Sequence, residues 1–164
     1  MAACSACFPL MWERFRRFSA LERPARNLFL RAMVLLPLVA LSLRWRGFTA
    51  TQAVLQRFLS NANPECDATL MSKVAAMTAH MVNAADRYGL VHPSCLAKSL
   101  TLWWLLGWQG IPSHLRIGIR KEGEKFAAHA WVEREGAALN EPDEHHHHYA
   151  AFDAAFTSLP KQES

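Results

Sequence analysis

Apolar positions recur at helical spacing as far as Trp108, then alternate with period two from Leu115 onward. In the helical part, Ser19 with Glu22 three residues later reads as a capping box, and Pro24 falls in the first turns of the helix behind it. That run breaks at Gly47, and a second short helix covers 49–59. Residues 60–65, SNANPE, form a linker whose Asn63 and Pro64 suit the N-cap and first position of the next helix. Leu70, Val74, Met77, Met81 and Tyr88 mark its core face, and Gly89 ends it. Pro93-Ser94-Cys95 opens another helix, with Leu96, Leu100, Trp103, Trp104 and Leu106 as its apolar side and Gly110 beyond its end. Two alternating runs follow, 115–120 (LRIGIR) and 126–133 (FAAHAWVE), joined by the polar turn KEGEK; a short third strand covers 137–141. Helices followed by an antiparallel meander predict an α+β protein. Its parts are an N-terminal helical region, 1–60, and a core, 61–164, best defined over 88–152, together one compact unit. The Ser, Lys and Gln at the end suit a frayed tail.

A chain of 164 residues with 51% hydrophobic and 20% charged residues has the composition of one globular domain. Its net charge of +4 is unevenly spread. Through Leu59 there are nine arginines against two glutamates, a net +7, which leaves −3 for the remainder. Such asymmetry suits an acidic partner, a membrane surface or an acidic face of the same protein. The apolar run 32–43 holds 12 residues between Arg31 and Arg44, short of the ~20 that span a bilayer, and contains Pro37. It reads as a buried helix, while the flanking arginines suit a peripheral membrane contact through the N-terminal helices. Nucleic-acid binding is not expected, because the Arg-rich start lacks interleaved aromatics on a strand face.

The four cysteines, Cys4, Cys7, Cys66 and Cys95, do not form a disulfide framework, and no secretory signal precedes them, so a cytoplasmic setting is expected. Cys4-x-x-Cys7 lacks the second pair a zinc site needs and the preceding strand of a redox motif. In a reducing compartment a cysteine can instead be a nucleophile. Cys95 is the candidate: with Ser94 as cap it sits in the first helical turn, where free N–H groups and the helix dipole favour a thiolate. Cys66 also lies near a helix start but has no comparable sequel. His129 lies mid-strand with Trp131 and Glu133 on its face, while Phe126, Ala128, Ala130 and Val132 share the other.

A Cys–His pair needs a third group to hold the imidazole's tautomer and orientation. A three-residue Arg134-Glu135-Gly136 loop, with Gly136 left-handed, pairs Glu133 with Ala137 and sets Glu141 opposite His129. A two-residue Glu135-Gly136 loop puts Pro142 there, and a five-residue loop brings Asp143. The first is preferred, with Asp143 as fallback.

The segments CLAKSL (95–100), LRIGIR, AHAWVE (128–133) and LNE (139–141) together resemble the transglutaminase-like cysteine proteases of lasso peptide biosynthesis. The likeness is strongest over 88–152, and the run 21–48 resembles the helical lead-in of stand-alone members. It implies a transglutaminase/papain-like core with a Cys-bearing helix on a small antiparallel sheet, and a leader peptidase that acts before a separate cyclase closes the macrolactam. It also implies Cys95 as nucleophile, His129 as base and Glu141 where the family usually has Asp. Because the chain lacks a recognisable leader-recognition module, a separate protein is expected to present the precursor leader. No cofactor or metal is implied.

The run His145-His146-His147-His148 is the remaining conspicuous feature. Neighbouring residues in an extended segment face opposite ways, so only alternate imidazoles can share an ion, and the run reads as a solvated loop. His92 and His114 read as structural, with His92 close enough to Cys95 to touch substrate. Two other readings remain: a non-catalytic peptide-binding scaffold of the maturation complex, and a transglutaminase-like acyl transferase. Reaction of Cys95 with a thiol probe separates the scaffold from the enzymes, and product mass separates hydrolysis from acyl transfer.

Overall fold

The computed structural model describes residues 22–59, 67–89, 92–122, 125–140, 150–151 and 156–157. Three helices precede the sheet: α1 (Arg23–Arg57), α2 (Ala68–Tyr88) and α3 (Cys95–Trp108). The strands are β1 (His114–Glu122), β2 (Lys125–Arg134), β3 (Ala137–Ala138), β4 (Ala150–Ala151) and β5 (Phe156–Thr157). This is the expected α+β order.

Helix α1 starts at Arg23 with Glu22 at the N-cap, making no side-chain cap bond, and Pro24 falls at its second position. Glu22 is therefore not the third residue of a capping box; Ser19 lies outside the described residues. Gly47 breaks the helix as expected, at φ 75° and ψ −179°. Thr51 bridges the break: its hydroxyl donates to the Gly47 carbonyl at 2.7 Å and shares a 2.9 Å hydrogen bond with Ser42. Helix α2 begins later than its linker suggests, at Ala68, with Asp67 accepting from the Thr69 N–H at 3.2 Å. Gly89 caps its end by donating to the Ala85 carbonyl at 2.8 Å.

Two expectations about packing change. In α2 the buried side is made of Ala75, Thr78, Ala79, Met81, Val82 and Ala85, while Leu70 and Tyr88 at the helix ends are exposed. Small side chains let helix backbones approach closely, so the contact face follows the alanines rather than the largest apolar residues. Helix α3, expected to be amphipathic, is buried nearly all round: Leu100, Leu102, Trp103, Leu105 and Leu106 are fully inaccessible. It is the central helix, packed against α1, α2 and strands β1 and β2. A Schellman arrangement ends it. Gly110, at φ 73°, donates to the Gly107 carbonyl at 3.0 Å, and Ile111 reaches back to Leu106 at 2.9 Å.

One core unites these layers. It joins Leu36 and Val39 of α1, Val82 of α2, Leu100 of α3, Leu115 of β1 and Val132 of β2. The N-terminal helical region is thus part of the same core as the Cys-bearing helix. Trp104 adds a polar tie, donating its indole N–H to the Leu55 carbonyl at 2.9 Å.

The sheet is antiparallel, ordered β3-β2-β1-β4, with β5 also on the outer edge of β1. Strands β1 and β2 pair over their whole length, from His114↔Glu133 to Glu122↔Lys125. Strands β4 and β5 lie beyond the expected meander, in segments too short to show alternation.

The second hairpin differs from expectation. Arg134 pairs with Ala137 and Glu133 with Ala138, so the loop has two residues, not three. Both take positive φ, Glu135 at 52° and Gly136 at 82°, as a type I′ turn requires. The preferred register, Glu133 with Ala137, is therefore corrected, and with it the argument that set Glu141 directly across from His129. Glutamate at positive φ is unusual, and the two-residue loop requires it there. The Arg134 side chain is buried, and one of its guanidinium nitrogens donates to Glu135 at 2.6 Å while another donates to Ser72 on α2 at 2.8 Å.

Candidate active site

Cys95 is the first residue of α3, free and half-buried. Ser94 takes an extended N-cap conformation (φ −62°, ψ 159°) and its hydroxyl accepts from the Ala97 N–H at 3.3 Å. The Ser94 carbonyl accepts the first helical bond, from Lys98 at 3.0 Å. Cys95 thus stands where the backbone donors of the first turn have no helical acceptor. Lys98 in the next turn is paired with Asp86 of α2 at 3.6 Å, which orients the start of α3 against α2.

His129 is half-buried in the middle of β2, its ring stacked on Trp131 with centroids 6.2 Å apart and planes 15° apart. Alternation places His129, Trp131 and Glu133 on one face and Ala130 and Val132 on the other, as the spacing predicts. On the His129 face, Glu133 accepts from the Arg116 guanidinium at 3.2 Å. The residue directly opposite His129 on β1 is Gly118, which has no side chain.

What ties the Cys95 helix to the His129 strand is a buried polar relay that sequence reasoning missed. Ser99, one turn beyond Cys95, donates to the Ala130 carbonyl at 2.8 Å. Asn140 donates through its amide to the Ser99 hydroxyl at 3.0 Å and accepts from the Val132 N–H at 2.8 Å. Ser99 is fully buried and Asn140 nearly so. Leu139 still donates to the Val132 carbonyl at 2.9 Å, continuing the ladder by one residue. At Asn140 a side chain takes the place of the next backbone acceptor. Two side chains thereby fix three segments: the helix four residues after Cys95, the strand immediately after His129, and the chain immediately before Glu141. The only signal in the sequence was the LNE segment itself, with no indication that its Asn turns inward.

Glu141, Asp143 and His145–His148 lie outside the described residues, as do Cys4, Cys7 and Cys66. His92 is exposed two residues before the Ser94 cap, and His114 is half-buried at the start of β1. Among the described residues no three His, Cys, Asp or Glu side chains converge as metal ligands would.

A free cysteine thus starts a central helix that packs on an antiparallel sheet carrying a histidine. Residues 32–152 match the family model of the transglutaminase-like superfamily, and the chain belongs to that superfamily. The match begins inside α1, so it includes much of the N-terminal helical region. No curated protein and no solved structure matches the chain.

Proposed function

We propose that the chain is a cysteine endopeptidase that removes the leader from a ribosomally made lasso precursor before a separate cyclase closes the macrolactam. The observation that carries the reading is Cys95 at the capped start of α3, joined through Ser99 to the strand of His129. Membership of the transglutaminase-like superfamily, which includes cysteine proteases and acyl transferases, supports it. The resemblance of CLAKSL, LRIGIR, AHAWVE and LNE to the lasso leader peptidases supports the narrower reading.

In this reading the Cys95 thiolate attacks the carbonyl at the end of the leader. A carbon–sulfur bond forms as the carbonyl electrons move to oxygen. His129 takes the thiol proton and returns it to the departing core amine as the carbon–nitrogen bond breaks. Glu141 orients His129 and balances its cation. Water, deprotonated by His129, then hydrolyses the thioester and restores the thiol. The Cys95 backbone N–H donates to the oxyanion. The chemistry needs no metal or cofactor. A leader-recognition protein presents the precursor and the cyclase takes the product, in the cytoplasm.

The test is incubation of precursor, leader-binding protein and enzyme, with leader release followed by mass. Cys95→Ala should abolish release; undiminished cleavage overturns the reading. Acyl transfer to an amine is the second reading, favoured by the superfamily itself, and the same mass spectrum separates the two: hydrolysis adds water to the leader, transfer adds the acceptor amine.

A further inference from the structure

Helix α1 has two apolar faces, and its core contacts account for one. Ala25, Leu28, Ala32, Leu36 and Val39 are buried against the rest of the fold. Leu30, Val34, Leu38, Leu41 and Trp45 recur every three or four residues on the opposite side and are exposed, Val34 at 60% and Trp45 at 76%. The stripe runs roughly 22 Å, about fifteen residue steps at 1.5 Å each. An 18-residue window of α1 has mean hydropathy 1.7, yet only 22% of it is buried. An apolar row of this length on a protein surface marks a contact.

Charge identifies the occupant. Helix α1 carries six arginines and no acidic residue. Exposed arginines bracket the stripe, Arg23 before it and Arg44 and Arg46 around Trp45, while the 12 residues from 32 to 43 are uncharged. Arg31 is turned aside, its guanidinium 4.0 Å from the centre of the Trp108 ring. A second copy docked stripe to stripe would set arginine against arginine in either orientation. A partner helix would find no charged flank between Arg31 and Arg44 to fix its register. A bilayer interface needs no register: it takes the aliphatic row among its acyl chains, an aromatic at the headgroup level, and arginines that reach outward to phosphates.

We infer that this face seats α1 on an anionic lipid surface, lying in the interfacial plane. Spanning is a poorer fit despite the length of the helix, because it would strip Leu28, Leu36 and Val39 out of the core. The inference stands apart from the peptidase reading.

The test is sedimentation of the full chain with vesicles of phosphatidylglycerol and phosphatidylcholine, against phosphatidylcholine alone. At least tenfold tighter binding to the anionic vesicles is expected, weakening as salt rises. Leu38→Glu should lower that binding at least tenfold with an unchanged melting temperature, and Val34→Glu should do the same. Arg44→Gln with Arg46→Gln should remove the preference for anionic lipid. Failure of the chain to sediment with either vesicle overturns the inference, as does equal binding by the Glu variants. A lower melting temperature for both Glu variants would mean that the chain itself covers the stripe, and a dimer dissolved by Leu38→Glu would assign it to a second copy; either result overturns the lipid assignment.

Discussion

At the scale of single residues, the most informative position is the one that joins the sheet to the chain after it. Asn140 spends both ends of its amide on buried partners, the Val132 N–H and the Ser99 hydroxyl. Asn140→Ala leaves that N–H without an acceptor inside the protein, which costs about 1–3 kcal/mol. A correspondingly lower urea midpoint is expected. Its neighbour Glu141 is a matter of chemistry rather than stability. If Glu141 orients His129, Glu141→Ala impairs leader release far more than replacing His145, His146, His147 and His148 together with alanine. Rates measured for the two variants check this, and the reverse order would sink the assignment. The helix-start place of Cys95 and the mid-strand place of His129 follow from capping and alternation in the sequence. The inward turn of Asn140 does not, since nothing in a local pattern says that a polar residue leaving a strand will fold back to replace a backbone acceptor.

At the scale of elements, the hairpin β2–β3 shows where sequence logic stops. A three-residue loop needs one left-handed residue, and Gly136 suits it. The protein instead places Glu135 there too, at φ 52°, with its carboxylate paired to Arg134. That bond joins a loop to a side chain whose burial depends on α2, so no local pattern could reveal it. The cost of the turn can be measured at Gly136. A Cβ built there meets nothing within 4 Å, so Gly136→Ala is penalised by backbone strain alone, about 1–2 kcal/mol. Denaturant unfolding should show that loss. The long elements were legible: the break at Gly47, the Ser94 cap and both long strands follow from glycine placement, capping chemistry and alternation. Two-residue strands such as β4 and β5 carry no period to read.

For the molecule as a whole, the division at residue 60 is one of sequence character and not of packing. Leu36, Val39 and Leu55 lie in the same core as Leu100, Leu115 and Val132. A fragment of residues 61–164 should therefore lose cooperative unfolding, since removing α1 uncovers the flank of a central helix that is apolar on every side. A sharp thermal transition in that fragment would show that the later part folds alone. The all-round burial of α3 escaped the sequence reading because an apolar helix looks the same whether one layer or two cover it.

The break at Gly47 has a consequence for insertions. Ser42 and Thr51 are hydrogen-bonded across it, so the two halves of α1 are held at a fixed rotational phase. A single residue added between Leu41 and Ser42 would turn the first half by about 100° relative to that clasp. The turn would swing Leu36 and Val39 out of the core and bring Leu38 and Leu41 partly inward. The glycine and its clasp thus act as an index mark, deciding which of two nearly equivalent apolar faces the protein keeps for itself.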